Sequence, residues 1–237
     1  MSTGPGRTAL SRRRVLAGLG LGLPLLAGLA ACGSSAAAVP TVPVRLHTDW
    51  TVKPGGTTPV VGDDGVPFHL AQEGSAPPPA VLEGALEGQL PEALSSSSLA
   101  QEMRAEVRRI GATFALGPGS PQGALTLAAW TGVPFVTAQC HLVLTAQQWI
   151  LGVVEQGALR VVRQDGYGSP LRQDGATPYT ADVTFAGDTA TLALPDGGSA
   201  TVSDPAIGAT LGTVPAWQFY KNGAGGADVR LLRTWAG

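Results

Sequence analysis

Tyr179-Thr180-Ala181-Asp182-Val183-Thr184-Phe185-Ala186-Gly187-Asp188-Thr189-Ala190-Thr191-Leu192-Ala193-Leu194-Pro195-Asp196-Gly197-Gly198-Ser199-Ala200-Thr201-Val202 is the stretch whose reading decides the fold. Two runs rich in β-branched and apolar residues flank the tight-turn dipeptide Gly187-Asp188. A third run follows the turn Pro195 to Gly198. Val183 and Phe185, then Thr189 and Thr191, are expected to face one way while their neighbours face the other. Turns this short leave no room for a crossover helix, so the strands pair antiparallel.

Working outward, similar runs recur. They are Glu106 to Leu116, Ala124 to Trp130, His141 to Thr145, Gln148 to Val154, Leu159 to Arg163, Ala216 to Tyr220 and Val229 to Trp235. Gly, Pro, Asn and Asp punctuate them at spacings of about 8–12 residues, the pattern of an all-β sandwich or barrel. The first half is less regular. Val44 to Val52 suits an edge strand and Gly55 to Ala80 reads as loop. Leu82, Leu86, Leu90 and Leu94 are spaced by four as on a helical face, although Gly84, Gly88 and Pro91 weaken it. Ser95 to Ser98 reads as loop and Leu99 to Met103 as a single helical turn.

The N-terminus has a different grammar. Arg12, Arg13 and Arg14 precede fifteen uncharged residues, Ala17 to Ala31, broken by glycines and Pro24. This is the layout of a secretory signal, and it is shorter than the roughly 20 residues of a membrane span. Leu29-Ala30-Ala31-Cys32 resembles the bacterial lipobox, in which the cysteine thiol takes a diacylglycerol and a peptidase cuts before it. Ser11-Arg12-Arg13-Arg14-Val15-Leu16 resembles the twin-arginine (Tat) signal, with Val15 where phenylalanine is usual. The resemblance implies a bacterial lipoprotein precursor: a signal helix over 1–31, a lipidated, disordered tether over 32–43, and one domain over 44–237. The mature chain would then be anchored to the outer face of the cytoplasmic membrane by lipid, palmitate included. Two or more acyl chains make such an anchor firm.

Composition narrows the partners. The chain has 15 Lys and Arg against 17 Asp and Glu, and losing the four signal arginines leaves 11 against 17, a net charge of −6. Without a basic stripe, nucleic acid is not an expected partner. The 33 Gly and 19 Pro, with abundant Ala, point to a GC-rich genome and an actinobacterial source. Of two cysteines, Cys32 is assigned to lipid, which leaves Cys140 unpaired. Cys140 reads as a small buried hydrophobe. Its neighbour His141 points to the opposite strand face and offers it no base.

An opening strand, a long loop, a block of paired strands and the closing segment Trp217 to Gly223 with Ala227 to Leu232 together resemble the concanavalin A-like lectin and glucanase superfamily (LamG-type). The resemblance covers about Leu46 to Gly237 and implies an antiparallel jelly-roll β-sandwich in which the first and last strands pair. It also implies surface carbohydrate binding or, in enzymatic branches, β-glucan hydrolysis. Retaining hydrolases place two carboxyls about 5 Å apart. The nearest candidates, Glu102 and Glu106, would be about 13 Å apart on a strand, so no catalytic residue is assigned.

Other chemistry is sparse. There is no Gly-x-Ser-x-Gly, and His47, His69 and His141 lack metal-ligand spacing, so no metal or cofactor is assigned. Asp63-Asp64-Gly65 could offer oxygens to calcium, but a loop turn accounts for it. Trp50, Trp130, Trp149, Trp217 and Trp235 read mainly as core pillars. Trp130, at a strand end by a sheet edge, and Tyr167, an exposed loop aromatic, are the candidate ligand platforms. The expectation is a non-catalytic envelope domain binding glycan, in the cell wall or outside it, or a protein partner. The alternatives are a polysaccharide-acting enzyme of the same fold and an accessory module without a small ligand.

Overall fold

Tyr179–Ala186 (β11) pairs with Thr189–Ala193 (β12), closing around Gly187-Asp188 with Ala186 opposite Thr189. Gly187 has φ +57°, a left-handed conformation that costs glycine nothing. Ser199–Ser203 (β13) adds on as the third strand. The computed structural model describes residues 42–73, 76–89, 96–118, 123–133, 136–221 and 228–237. Arg12, Arg13, Leu29, Ala30, Ala31 and Cys32 lie outside the described residues, as do the signal and all of the tether except Val42 and Pro43.

Within the hairpin, one detail corrects the alternation read from sequence. Val183 lies opposite Leu192 and Phe185 opposite Ala190, and all four are buried. Thr189 and Thr191 therefore face away from Val183 and Phe185. The two-residue turn sets this register, and a one-residue slip inverts a face.

The protein is an all-β sandwich of two antiparallel sheets. One sheet runs β13-β12-β11, then Arg109–Leu116 (β6), Asp228–Ala236 (β15), Ala85–Gln89 (β4) and Ala80–Leu82 (β3). Leu46–Asp49 (β1) pairs with the second half of β15, so the first and last described strands meet, as the resemblance implied. The other sheet runs Ala158–Gly166 (β10), Gln148–Glu155 (β9), Ala138–Leu144 (β8), Gly123–Trp130 (β7), Val214–Lys221 (β14), Ser96–Ala100 (β5) and His69–Glu73 (β2). The core lies between the sheets, with Trp217, Phe219, Leu125, Leu127, Cys140 and Leu142 from one meeting Ile110, Phe114, Val183 and Leu231 from the other. Trp217 Nε1–H donates to Gly111 O at 3.0 Å, which satisfies a buried indole across the core.

Three readings of the first half change. Leu82 ends β3 and Leu86 lies in β4, so their four-residue spacing spans a hairpin rather than a helix. The turn between them is Glu83-Gly84, with φ of 46° and 73°. Leu90 and Leu94 lie outside the described residues. A Cβ on Gly88 would lie 2.2 Å from Phe219 Cγ, so this glycine lets β4 press onto the facing sheet. The serine run is strand β5, wholly buried between β14 and β2, not a loop followed by a helical turn. Tertiary pairing there overrides weak strand propensity. His69–Glu73 is likewise a strand inside the expected loop.

One short helix, Pro205–Thr210 (α1), was not anticipated. Asp204 caps it by accepting the Ala206 N–H at 2.9 Å, with Pro205 in the first turn. The Arg160 guanidinium also holds Asp204 with two bonds of 2.7 and 2.9 Å, and first through this pairing its carboxyl falls to about 2.

Candidate functional site

A groove crosses the outer face of the seven-stranded sheet, and strand alternation builds it. On β7, Leu125, Leu127 and Ala129 enter the core while Thr126, Ala128 and Trp130 face out. On β8, Cys140, Leu142 and Leu144 enter the core while Gln139, His141 and Val143 face the groove. On β14, Trp217 and Phe219 go in while Gln218 and Tyr220 line the groove.

Register then sorts the outward residues into rows. Ala100, Ala216, Ala128, His141 and Gly152 lie side by side across five strands. One flanking row holds Trp130, Gln139, Val154 and Leu159. The other holds Ala71, Ser98, Gln218, Thr126 and Val143, with Glu73, Ser96 and Tyr220 beyond it. Alanine or glycine at four of the five middle positions, between larger side chains such as Trp130, Gln139 and Gln218, makes a trough with His141 in its floor. The cavity has a volume of about 160 Å³ and a mostly apolar lining. Its polar groups are neutral amides and hydroxyls, apart from His141 and Glu73. Among the described lining residues Glu73 is the one carboxylate, and none is lysine or arginine.

His141 is the most constrained of these groups. It is 6% exposed, and its Nδ1 has no hydrogen-bond partner among the described residues. Burial lowers its pKa to about 4, so the ring is neutral at physiological pH. Gly152 faces it across the ladder, and a Cβ there would lie 2.8 Å from Nε2. The glycine therefore provides the seat for the imidazole. Sequence reasoning set His141 aside because it could not serve Cys140. That geometry holds, with Cys140 in the core and burial pushing its thiol up to about 12. A lone histidine carries no signal that its cross-strand neighbour is a glycine.

The two aromatic candidates part company. Trp130 lines the groove, but β7 is an interior strand, not a sheet edge. The indole is 5% exposed, packed with Ala100, Ala128, Val214, Ala216, Val133 and Val136, and its Nε1 has no partner among the described residues. Tyr167 is not an exposed platform. The chain after β10 folds back on the turn between β8 and β9, with Tyr167 N donating to Gln147 O at 3.2 Å and Leu171 N to Ala146 O at 2.8 Å. This lays the Tyr167 ring against the core, where its hydroxyl is buried and its pKa raised by desolvation. It is absent from the described groove lining.

The remaining candidates are structural. Asp64 accepts the N–H groups of His47 and Val66 at 3.0 and 2.7 Å, and Asp63 accepts that of Asp49 at 2.8 Å and pairs with Lys53. These carboxylates tie a loop to β1, and no cluster of three or more metal-ligating side chains occurs among the described residues. Glu102 and Glu106 are exposed on the irregular segment before β6 and do not line the groove.

No protein-family model matches the chain, and no curated protein does. Solved structures do. The carbohydrate-binding module CBM66 from Bacillus subtilis superposes with a TM-score of 0.50 at 13% identity, over 69% of this chain and 94% of that one. A Bacillus subtilis protein of unknown function with a galectin-like fold gives 0.52 at 11% identity, over 76% and 93%. The Crh5 transglycosylase gives 0.51 at 11% identity, over 83% and 88%. Binding modules and an enzyme both appear, so at these identities the likeness speaks to architecture alone. The chain is an antiparallel jelly-roll β-sandwich.

Proposed function

We propose that this is an exported, lipid-anchored cell-envelope protein whose β-sandwich binds glycan in the outer-face groove. One observation carries the binding reading: neutral hydrogen-bonding side chains are set along a mostly apolar trough. A sugar ring presents apolar faces edged by hydroxyls. Gln139, Gln218 and Ser98 can each donate and accept to such hydroxyls, while Val143, Val154, Leu159 and Trp130 cover the apolar faces. Hydrolysis by paired carboxyls needs a second acid beside the first. The described lining supplies Glu73, so binding is favoured over that chemistry.

A glycan array probed with the purified protein tests this. Binding should concentrate on a subset of sugars, and Gln218→Ala should weaken it about tenfold, the worth of a hydrogen bond lost in a dry site. Equal signal on every sugar would remove the support. The anchor rests on the lipobox-like Leu29-Ala30-Ala31-Cys32. Expressed in a bacterial host, the chain should incorporate radioactive palmitate, and Cys32→Ser should not; label on the serine variant would refute acylation at that thiol.

A further inference from the structure

We propose that the groove selects uncharged glycans over anionic ones, with His141 reading a ligand hydroxyl at its middle. This rests on the glycan-binding reading and goes further, to the class of glycan and the residue that meets it.

Proteins that recognise carboxylated, sulfated or phosphorylated sugars meet the anion with arginine or lysine. Here none of the described lining residues is either, and the one formal charge among them is the Glu73 carboxylate, at the Ser96–Tyr220 end of the trough. An anionic sugar entering this trough would lose water without gaining a counter-charge from the described lining, a costly transfer in an apolar setting. A neutral sugar incurs no such penalty.

His141 is more than nine-tenths buried and lines the groove, yet Nδ1 has no partner among the described residues. A core histidine kept for packing is ordinarily hydrogen-bonded within the protein, because an unmatched buried nitrogen is destabilising. Neutral imidazole offers one N–H and one lone pair, which complements a hydroxyl that both donates and accepts. Gly152 holds the ring in place by offering no Cβ to displace it. Trp130, one row over, also lines the groove and carries a buried Nε1 with no partner among the described residues. Both nitrogens lie just beneath the surface of the trough, so a ligand hydroxyl meets them where the side chains above them shift aside.

Matched arrays of neutral β-linked oligosaccharides and their C6-carboxylated counterparts test the proposal with the full-length protein in detergent. The neutral member of a pair should bind at least about tenfold more tightly. His141→Ala should lose about tenfold in affinity while melting no lower than the parent, since it removes an unpaired nitrogen. Gln218→Arg, on the neighbouring row, should raise the affinity of the carboxylated members, a gain that misfolding cannot mimic. Equal or tighter binding of the carboxylated members by the parent would overturn the charge selection while leaving glycan binding standing. A folded His141→Ala with unchanged affinity would overturn the role of the imidazole. Binding to no sugar at all would overturn the glycan reading itself, and this inference with it.

Discussion

Cys140 and His141 are consecutive on β8, and burial moves their two pKa values in opposite directions, to about 12 and about 4. In each case desolvation disfavours the charged form. For His141 this links stability to pH. The unfolded chain binds a proton near the ordinary histidine value of about 6.5, whereas the folded chain does so only near 4. The stabilisation is therefore complete above about pH 6.5 and is lost progressively as pH falls towards 4. A depression of this size corresponds to about 3 kcal/mol. Urea unfolding at pH 7 and pH 4 should show His141→Gln losing about that much less than the parent; identical losses would mean that His141 does not titrate this way. Cys140 should resist thiol reagents in the folded protein and react on unfolding, as its burial in the core requires. Alternation alone placed these two side chains on opposite faces. The missing partner of Nδ1 is a property of surroundings assembled from β7, β8 and β9, which no local pattern encodes.

At the scale of elements, strands with β-branched alternation were legible and those without it were not. Ser96–Ala100 has four small polar or apolar residues around one leucine and yields no strand signal, yet it is flanked on both sides and wholly buried. The Leu82–Leu86 spacing matches a helix by count, and the positive-φ pair Glu83-Gly84 converts it into a hairpin. The trough is itself an element-scale product. Ala100, Ala216 and Ala128 are separated widely in sequence and align only through the ladders β5-β14-β7. Ala128 is buried between Ala216 and His141 in this row. Ala128→Leu should force Trp130 or His141 aside and cost about 1–3 kcal/mol by chemical denaturation. An unchanged midpoint would show that the row tolerates bulk and is not a constraint on the groove.

At the scale of the whole molecule, β15 is the central tie. It pairs with β6 along one edge and shares the other between β4 and β1, joining segments nearly the full domain apart. A chain ending at residue 227 would leave those three strands without their common neighbour. Such a truncation should lose near-ultraviolet circular dichroism and cooperative melting; a retained sharp transition would show that β15 is dispensable. The all-β class, the antiparallel pairing and the tight turns were determined by sequence alone, because period-two alternation and Gly, Pro and Asp punctuation act over a few residues. The order of the strands, the burial of the serine strand, the packing of Tyr167 against the core, the interior place of Trp130, and the groove were decided only by tertiary structure. These depend on register between distant segments such as Ser98, Thr126 and Gln218, and on the faces that the core claims once the two sheets close.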